Sequence, residues 1–282
     1  MKKSKNKNIA GLCTRAKMSR QNYYATHKLR QKQKVEKDFI LAVIRDYRKT
    51  QPRVGVRKLQ KMIEQTLKEN NISIGRDRLF DLLRENSMLV EKKKAFTPKT
   101  TNSRHYLPVF GNLLNKYDVT APNQAWVSDI TYIHTEEGFV YAALVTDLFS
   151  RKIVGTHIGD TLESVGACNA LQMAIKSIPK NVYPIHHSDR GSQYCCHEYI
   201  DRLKKRGISI SMTEENHCYE NAVAERVNGI LKDEFHLDRV FNSKQDAYRA
   251  FENAVVIYNT IRLHMNLNYM TPAEFHEKKI VV

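Results

Sequence analysis

The sequence predicts an α/β fold, a mixed five-stranded sheet with helices on both faces, preceded by an all-α module. Two changes near residue 108 carry this reading. Residues 1–108 hold 28 Lys and Arg against 9 Asp and Glu, a net of +19, while residues 109–282 hold 18 against 21, a net of −3. Before that point apolar residues recur at helical spacing. Beyond it, short β-branched runs alternate with amphipathic segments in the order three strands, helix, strand, helix, strand and two helices. With 41 % hydrophobic residues, the 282-residue chain can bury a core, and wholesale disorder is excluded.

The elements follow from local signals. The basic start ends in "MSRQNYYATHK", where Ser19 is a candidate cap for a short helix from Arg20. Val35, Phe39, Ile40, Val43, Ile44 and Tyr47 mark a helix ended by "TQPRVG". Val56, Leu59, Ile63 and Leu67 mark a second, and a third runs from about Gly75 to Asn86, with Leu79, Leu82 and Leu83 inward and Arg76 and Arg84 outward. Three short helices with an arginine-bearing last one suggest a helix-turn-helix type module, and the +19 excess favours DNA as its partner over a merely solvated basic face. No basic helix carries a strong aromatic face, so a membrane surface is the weaker reading. Residues 91–108, "EKKKAFTPKTTNSRHYLP", have no period and two prolines. They read as an extended linker whose Lys92, Lys93 and Lys94 lie along phosphates.

"AWVSDITYI", "FVYAALVTDLF" and "KIVGTHIG" read as an antiparallel meander, followed by a helix over "TLESVGACNALQMAIKSI" with Thr161 as N-cap. Next come a "VYPIHHS" strand, a helix through "CCHEYIDRLKKRG" stopped by Gly207, and an "ISISM" strand. Helices over about Glu220–Phe235 and Ser243–Thr260 close the order. Five cysteines without a CxxC pair argue against a disulfide framework and a zinc knuckle, and fit a reducing compartment. The N-terminus lacks the apolar run of a signal peptide, and no stretch approaches a membrane span. A cytoplasmic location, close to the nucleoid, is expected.

Three acids stand out by position. Asp129 interrupts an otherwise uncharged strand, Asp189 ends the "VYPIHHS" strand, and Glu225 lies on the helix containing "YENAVAERVNGILKDEF". On that helix Val223, Val227, Ile230 and Leu231 form the apolar stripe, while Asn221, Glu225, Asn228 and Lys232 share the other side. Taken singly, the acids also read as a strand-end acceptor, a turn or cap residue and a surface acid. Converging together without matching cations, they require metal neutralisation. Mg²⁺ suits such a set, and two ions about 3.5–4 Å apart would clamp the attacking and leaving oxygens of a phosphoryl displacement. Lys232 is then placed to hold a DNA phosphate, and His187, Asn221 and Asn228 are candidates for supporting the acids. His186 and His187 read either as groups tuning Asp189 or as hydrogen-bonded structural residues. Trp126 is expected in the core, Arg262 and His264 in packing the final segment, and Gly191 at a turn with unusual backbone angles.

"WVSDITYI", "HHSDRGSQY" and "CYENAVAERVNGILKDEF" resemble the three catalytic blocks of the retroviral-integrase-like DDE transposases, most closely the OrfB-type insertion-sequence transposases of bacteria. Between Asp189 and Glu225 lie 35 residues, the interval of that family, and Lys232 matches its basic residue seven places after the glutamate. "YNTIRLHMNLNYMTPAEF" is similar to its closing motif. The resemblance implies an RNase H-like core and metal ligation by Asp129, Asp189 and Glu225, with two Mg²⁺ or Mn²⁺ ions per site. It also implies cleavage at element ends, transfer of the 3′-hydroxyl to target DNA, and a homo-multimer working on double-stranded DNA. An upstream OrfA-type helix-turn-helix partner or fusion is implied as well. The expected organisation is a basic segment (1–30), a helix-turn-helix-like module (31–90), a linker (91–118), a catalytic core (119–240) and a C-terminal helix and tail packed on that core (241–282). The rival readings are a non-catalytic DNA-binding regulator or partial subunit, and an RNase H-like nuclease on RNA–DNA hybrids.

Overall fold

The computed structural model describes residues 8–91, 106–214 and 221–278. Lys92, Lys93, Lys94 and most of the linker therefore lie outside the described residues. The chain divides into two compact units, Met1–Lys49 with Gly55–Leu89, and Thr50–Val54 with Val90–Val282. No helix among the described residues is long and apolar enough to cross a membrane.

The first unit is helical: α1 (Ile9–Arg15), α2 (Arg20–Thr50), α3 (Val56–Glu69) and α4 (Arg76–Glu85). The short helix expected at Arg20 and the one expected around Val35–Tyr47 are a single 31-residue helix, because neither glycine nor proline interrupts residues 20–50. Ser19 does cap it, its Oγ accepting the Asn22 N–H at 3.1 Å. Ile40, Leu41 and Ile44 of α2 are buried, as are Leu59, Ile63 and Leu67 of α3 and Leu79, Leu82 and Leu83 of α4. Val35, expected inward, is 69 % exposed. It lies on the half of α2 that precedes the buried stretch. The Tyr47 hydroxyl donates to the Met62 carbonyl at 3.1 Å, tying α2 to α3.

The second unit is built on a sheet of β1 (Ala125–Thr135), β2 (Gly138–Asp147), β3 (Ile153–Gly159), β4 (Ile185–Ser188) and β5 (Ser209–Met212), in the order β3-β2-β1-β4-β5. The first three strands form the expected antiparallel meander, and β4 and β5 run parallel to β1. Between them come α5 (Ser164–Lys176), the single turn α6 (Ser192–Cys195) and α7 (His197–Arg206), followed after β5 by α8 (Ala222–Glu234), α9 (Lys244–Thr260) and α10 (Pro272–Glu277). One core layer joins Trp126, Ala143 and Val145 of the sheet to Leu171 of α5 and Tyr199 and Leu203 of α7. A second joins Ile133, Val140, Ala142 and Leu144 to Val227 and Leu231 of α8 and Phe251 and Tyr258 of α9. The parallel strands β4 and β5 are short, and α7 makes the crossover that joins them.

Local details revise three expectations. Helix α5 starts at Ser164 with Glu163 in the cap position, so Thr161 is not its cap. β4 begins only at Ile185, since Pro184 has no N–H to give the ladder. Gly191 has ordinary extended angles, φ −62° and ψ 142°, whereas Gly207 ends α7 in the left-handed region at φ 73°. Gly155 is needed for closeness: a Cβ there would stand 2.1 Å from the Ala170 carbonyl of α5. The chain end is pinned by Arg262, whose guanidinium makes two 2.8 Å bonds to Glu234. Thr271 and Glu274 close a capping box on α10.

Candidate active site

The sheet register brings the first two acids together. Ser128 of β1 pairs with Ser188 of the parallel β4, so Asp129 and Asp189 each follow the same rung on adjacent strands, which lie about 4.8 Å apart in any sheet. Asp129 also pairs with Leu144, which places it on the sheet face covered by α8 and α9. Both Asp129 oxygens are held. The Ile130 N–H donates to Oδ1 at 2.9 Å and the Asn228 side-chain amide to Oδ2 at 2.8 Å. The Gly191 N–H donates to Asp189 Oδ1 at 3.0 Å, so this glycine serves the site through its backbone donor.

Helix α8 delivers the third acid. The Asn221 amide donates to the Ser128 carbonyl at 3.0 Å, and Asn228 reaches Asp129, so the face carrying Asn221, Glu225 and Asn228 looks onto β1. Glu225 itself is exposed. Burial is the main reason the Asp129 pKa rises to about 7. The charge of Asp189 adds to it and that of Glu225 contributes less, against the lowering effect of the two hydrogen bonds. The Glu225 pKa is raised by partial burial and then by Asp189. Asp129 thus senses the charge of both other acids, and Glu225 that of Asp189. Among the described residues no three His, Cys, Asp or Glu side chains form a ready metal cluster. Like charges repel, and the Glu225 side chain is exposed while Asn221 and Asn228 on the same face of α8 are buried.

The donor set nevertheless fits a hard divalent cation. It offers three carboxylates and, beside them, two buried amide oxygens, Asn221 Oδ1 and Asn228 Oδ1, without a hydrogen-bond partner among the described residues. Oxygen donors of this kind suit Mg²⁺ or Mn²⁺ with part of their water shell.

Lys232 lies two turns beyond Glu225 with its ammonium 4.2 Å from the Tyr132 ring centroid. Burial lowers its pKa, and the Asp129 charge opposes that shift. The two histidines point into structure. His186 is buried with Nε2 2.8 Å from both Ser128 Oγ and Tyr199 Oη, and burial pushes its pKa down to about 3, so it is neutral. His187 Nδ1 stands 2.8 Å from Ser211 Oγ on β5. Arg76 and Arg84 lie exposed on α4 of the helical unit, each bonded to a carboxylate on its own helix, Asp77 and Asp81. Sequence reasoning missed Ile130, Ser128 and Tyr132 as partners of the site. Only their adjacency to Asp129 along β1 signalled them.

The sheet order, with one acid within β1, one directly after β4 and a third on the covering helix, defines an integrase-type, RNase H-like core. Integrase core domain models match residues 119–218 and 206–272. The insertion element IS600 uncharacterized 31 kDa protein of Shigella sonnei is 36 % identical over 271 residues, 95 % of this chain and 98 % of that protein. Transposase InsF for insertion sequence IS3A of Escherichia coli K12 is 35 % identical over 202 residues, 70 % of this chain and 69 % of the relative. Among solved structures, a chain of the simian T-cell lymphotropic virus intasome in complex with PP2A regulatory subunit B56 gamma superposes with a TM-score of 0.50 at 16 % identity. That match covers 81 % of this chain and 73 % of the other, and it is a likeness of fold. The chain belongs to the insertion-sequence transposases of the retroviral-integrase-like superfamily, and it is a polynucleotidyl transferase acting in DNA transposition.

Proposed function

We propose that Asp129, Asp189 and Glu225 are the catalytic carboxylates of this transposase, cutting DNA at element ends and joining the freed 3′-hydroxyl to target DNA. The observation that carries the reading is the shared rung of Ser128 and Ser188 on parallel neighbouring strands, which sets Asp129 and Asp189 one residue beyond it, with Asn228 of the Glu225 helix bonded to Asp129. Divalent metal is general to the superfamily. Two Mg²⁺ or Mn²⁺ ions, held by the three acids, would supply Lewis-acid activation of the attacking oxygen and neutralise the leaving one.

The chain's own residues perform the positioning. Asn228 and the Ile130 N–H fix the Asp129 carboxylate, the Gly191 N–H fixes that of Asp189, and Asn221 anchors the start of α8 to β1. Preorganised carboxylates have no reorganisation cost during the displacement. Lys232, held beside Tyr132, lies two turns along the same helix from Glu225 and is suited to a DNA phosphate. Arg76, Arg84 and Lys92–Lys94 extend phosphate contacts from the basic N-terminal part. The working form is a homo-multimer on duplex DNA in the cytoplasm, with an upstream helix-turn-helix partner or fusion recognising the element ends.

The test is end cleavage and strand transfer by purified protein with Mg²⁺ or Mn²⁺, with and without the upstream partner. Asp189→Asn and Glu225→Gln each abolish both steps while duplex binding persists. Strand transfer surviving Asp189→Asn would overturn the assignment.

A further inference from the structure

We propose that the catalytic unit carries a second DNA-backbone surface, at the end of the sheet opposite the acids. It is formed by Lys176, Lys180, Lys204, Lys205 and Arg206 around Tyr183. These residues line one open groove with Ile175, Ile178 and Gly207. Three chain segments converge there: the last turn of α5, the connection into β4, and the last turn of α7. The proposal takes from the function above only that the protein acts on duplex DNA. It does not depend on the roles of the three acids.

Positive charge is concentrated in this groove. Residues 109–282 hold 18 cations against 21 acids, yet five of the cations gather in this groove, and its lining contains no carboxylate. Elsewhere in the unit, ion pairs join Lys152 to Glu277, Arg202 to Glu198, Lys244 to Asp160 and Arg262 to Glu234. Among the described residues none of the five groove cations has a carboxylate partner. Two helices end here, and a helix C-terminus attracts cations. Each terminus amounts to only about half a negative charge, so the pair accounts for roughly one of the five.

The groove is also partly preorganised. The Arg206 guanidinium donates to the Lys180 carbonyl at 2.9 Å and to the Pro179 carbonyl, and lies 5.5 Å from the Tyr183 ring centroid. Gly207, at φ 73°, lets the chain turn directly under that ring, where an added Cβ would stand 3.1 Å from Tyr183. Tyr183 is 62 % exposed. An exposed aromatic beside an anchored guanidinium, flanked by exposed lysines, suits a phosphate–sugar backbone and offers no fixed pattern for reading bases. Six residue steps of nearly extended chain lead from Tyr183 to Asp189 across β4, a distance of about 20 Å. The groove therefore holds backbone well away from the acids.

The experiment measures binding of the full chain to labelled duplexes, with and without element-end sequence, by anisotropy over a salt series. Lys180→Gln/Lys205→Gln is expected to weaken both duplexes alike and to flatten the slope of log affinity against log salt by about 2, near 0.9 per lost phosphate contact. Lys180→Arg/Lys205→Arg keeps the wild-type slope. A photo-crosslinking p-benzoylphenylalanine at position 183 is expected to capture DNA. An unchanged slope in the glutamine variant, loss confined to the end-bearing duplex, or capture of protein alone would overturn the proposal. The same series in an Asp189→Asn chain separates the two readings. It shows the groove's contribution whether or not the acids are catalytic.

Discussion

Replacing Asp129 with asparagine is expected to stabilise the metal-free protein at high pH while removing its activity. The side chain is an acid whose pKa is raised from the ordinary 3.8 to about 7, because the ionised form is buried beside Asp189 and Glu225. For a raised acid the sign is clear. The folded state holds the proton more tightly than the unfolded state, so stability is greatest at low pH and is lost as pH rises from about 4 to 7. Above pH 7 the ionised carboxylate costs the fold about 4 kcal/mol, at 1.36 kcal/mol for each decade of displaced affinity. Asparagine removes that cost. It also turns an amide towards one of the two donors, Ile130 N–H or Asn228, and so loses one hydrogen bond worth about 1 kcal/mol. The net gain of about 3 kcal/mol at pH 9 corresponds to a rise in melting temperature of roughly 6–12 °C for a unit of this size. At pH 5 the wild-type carboxyl is largely protonated, and the variant should melt at or slightly below it. The assay is thermal unfolding followed by circular dichroism in EDTA at both pH values. Adding Mg²⁺ at pH 9 should raise the wild-type midpoint and leave the variant nearly unmoved. A variant less stable than wild type at both pH values in EDTA would refute the argument that an ionised Asp129 opposes the metal-free fold.

Three further outcomes are expected. Asn228→Ala removes the amide that orients Asp129 and should lower strand transfer by about 10–100-fold, with duplex binding unchanged in the salt-titrated anisotropy assay. Arg262→Ala leaves Glu234 without its two-bond partner in a nearly closed site and should cost about 3–5 kcal/mol in denaturant unfolding, more than Arg262→Ala/Glu234→Ala together. Gly155→Ala places a Cβ against the Ala170 carbonyl and should push α5 off β3, costing about 1–3 kcal/mol by the same measurement.

Most of the element order was legible because the signals are local. Gly207 stops α7, Ser243 caps α9 with its hydroxyl accepting the Asp246 N–H, and the period-two runs around Asp129 and Leu144 read as strands. The misreadings came from competition that local patterns do not record. Helix α2 runs through a stretch with no apolar seam because nothing in it breaks a helix, and Val35 therefore keeps its helical place without being buried. Thr161 is an acceptable cap by type, but α5 starts three residues later. Gly191 reads as a turn glycine, but its backbone takes ordinary extended angles and its N–H bonds Asp189.

Chemistry and connectivity are properties of the sequence itself. The residue types at 129, 189 and 225, their intervals, the segregation of positive charge into the first 108 residues and the periodicity of each segment define a DDE-type α/β chain before any folding is considered. Proximity is not such a property. The shared rung of Ser128 and Ser188, the reach of Asn228 to Asp129, the raised pKa that follows, and the gathering of five cations at the far end of β4 all depend on strand register and helix docking. Register is set by burying one face of each strand against its covering helices, a many-body packing outcome that no short window of residues encodes.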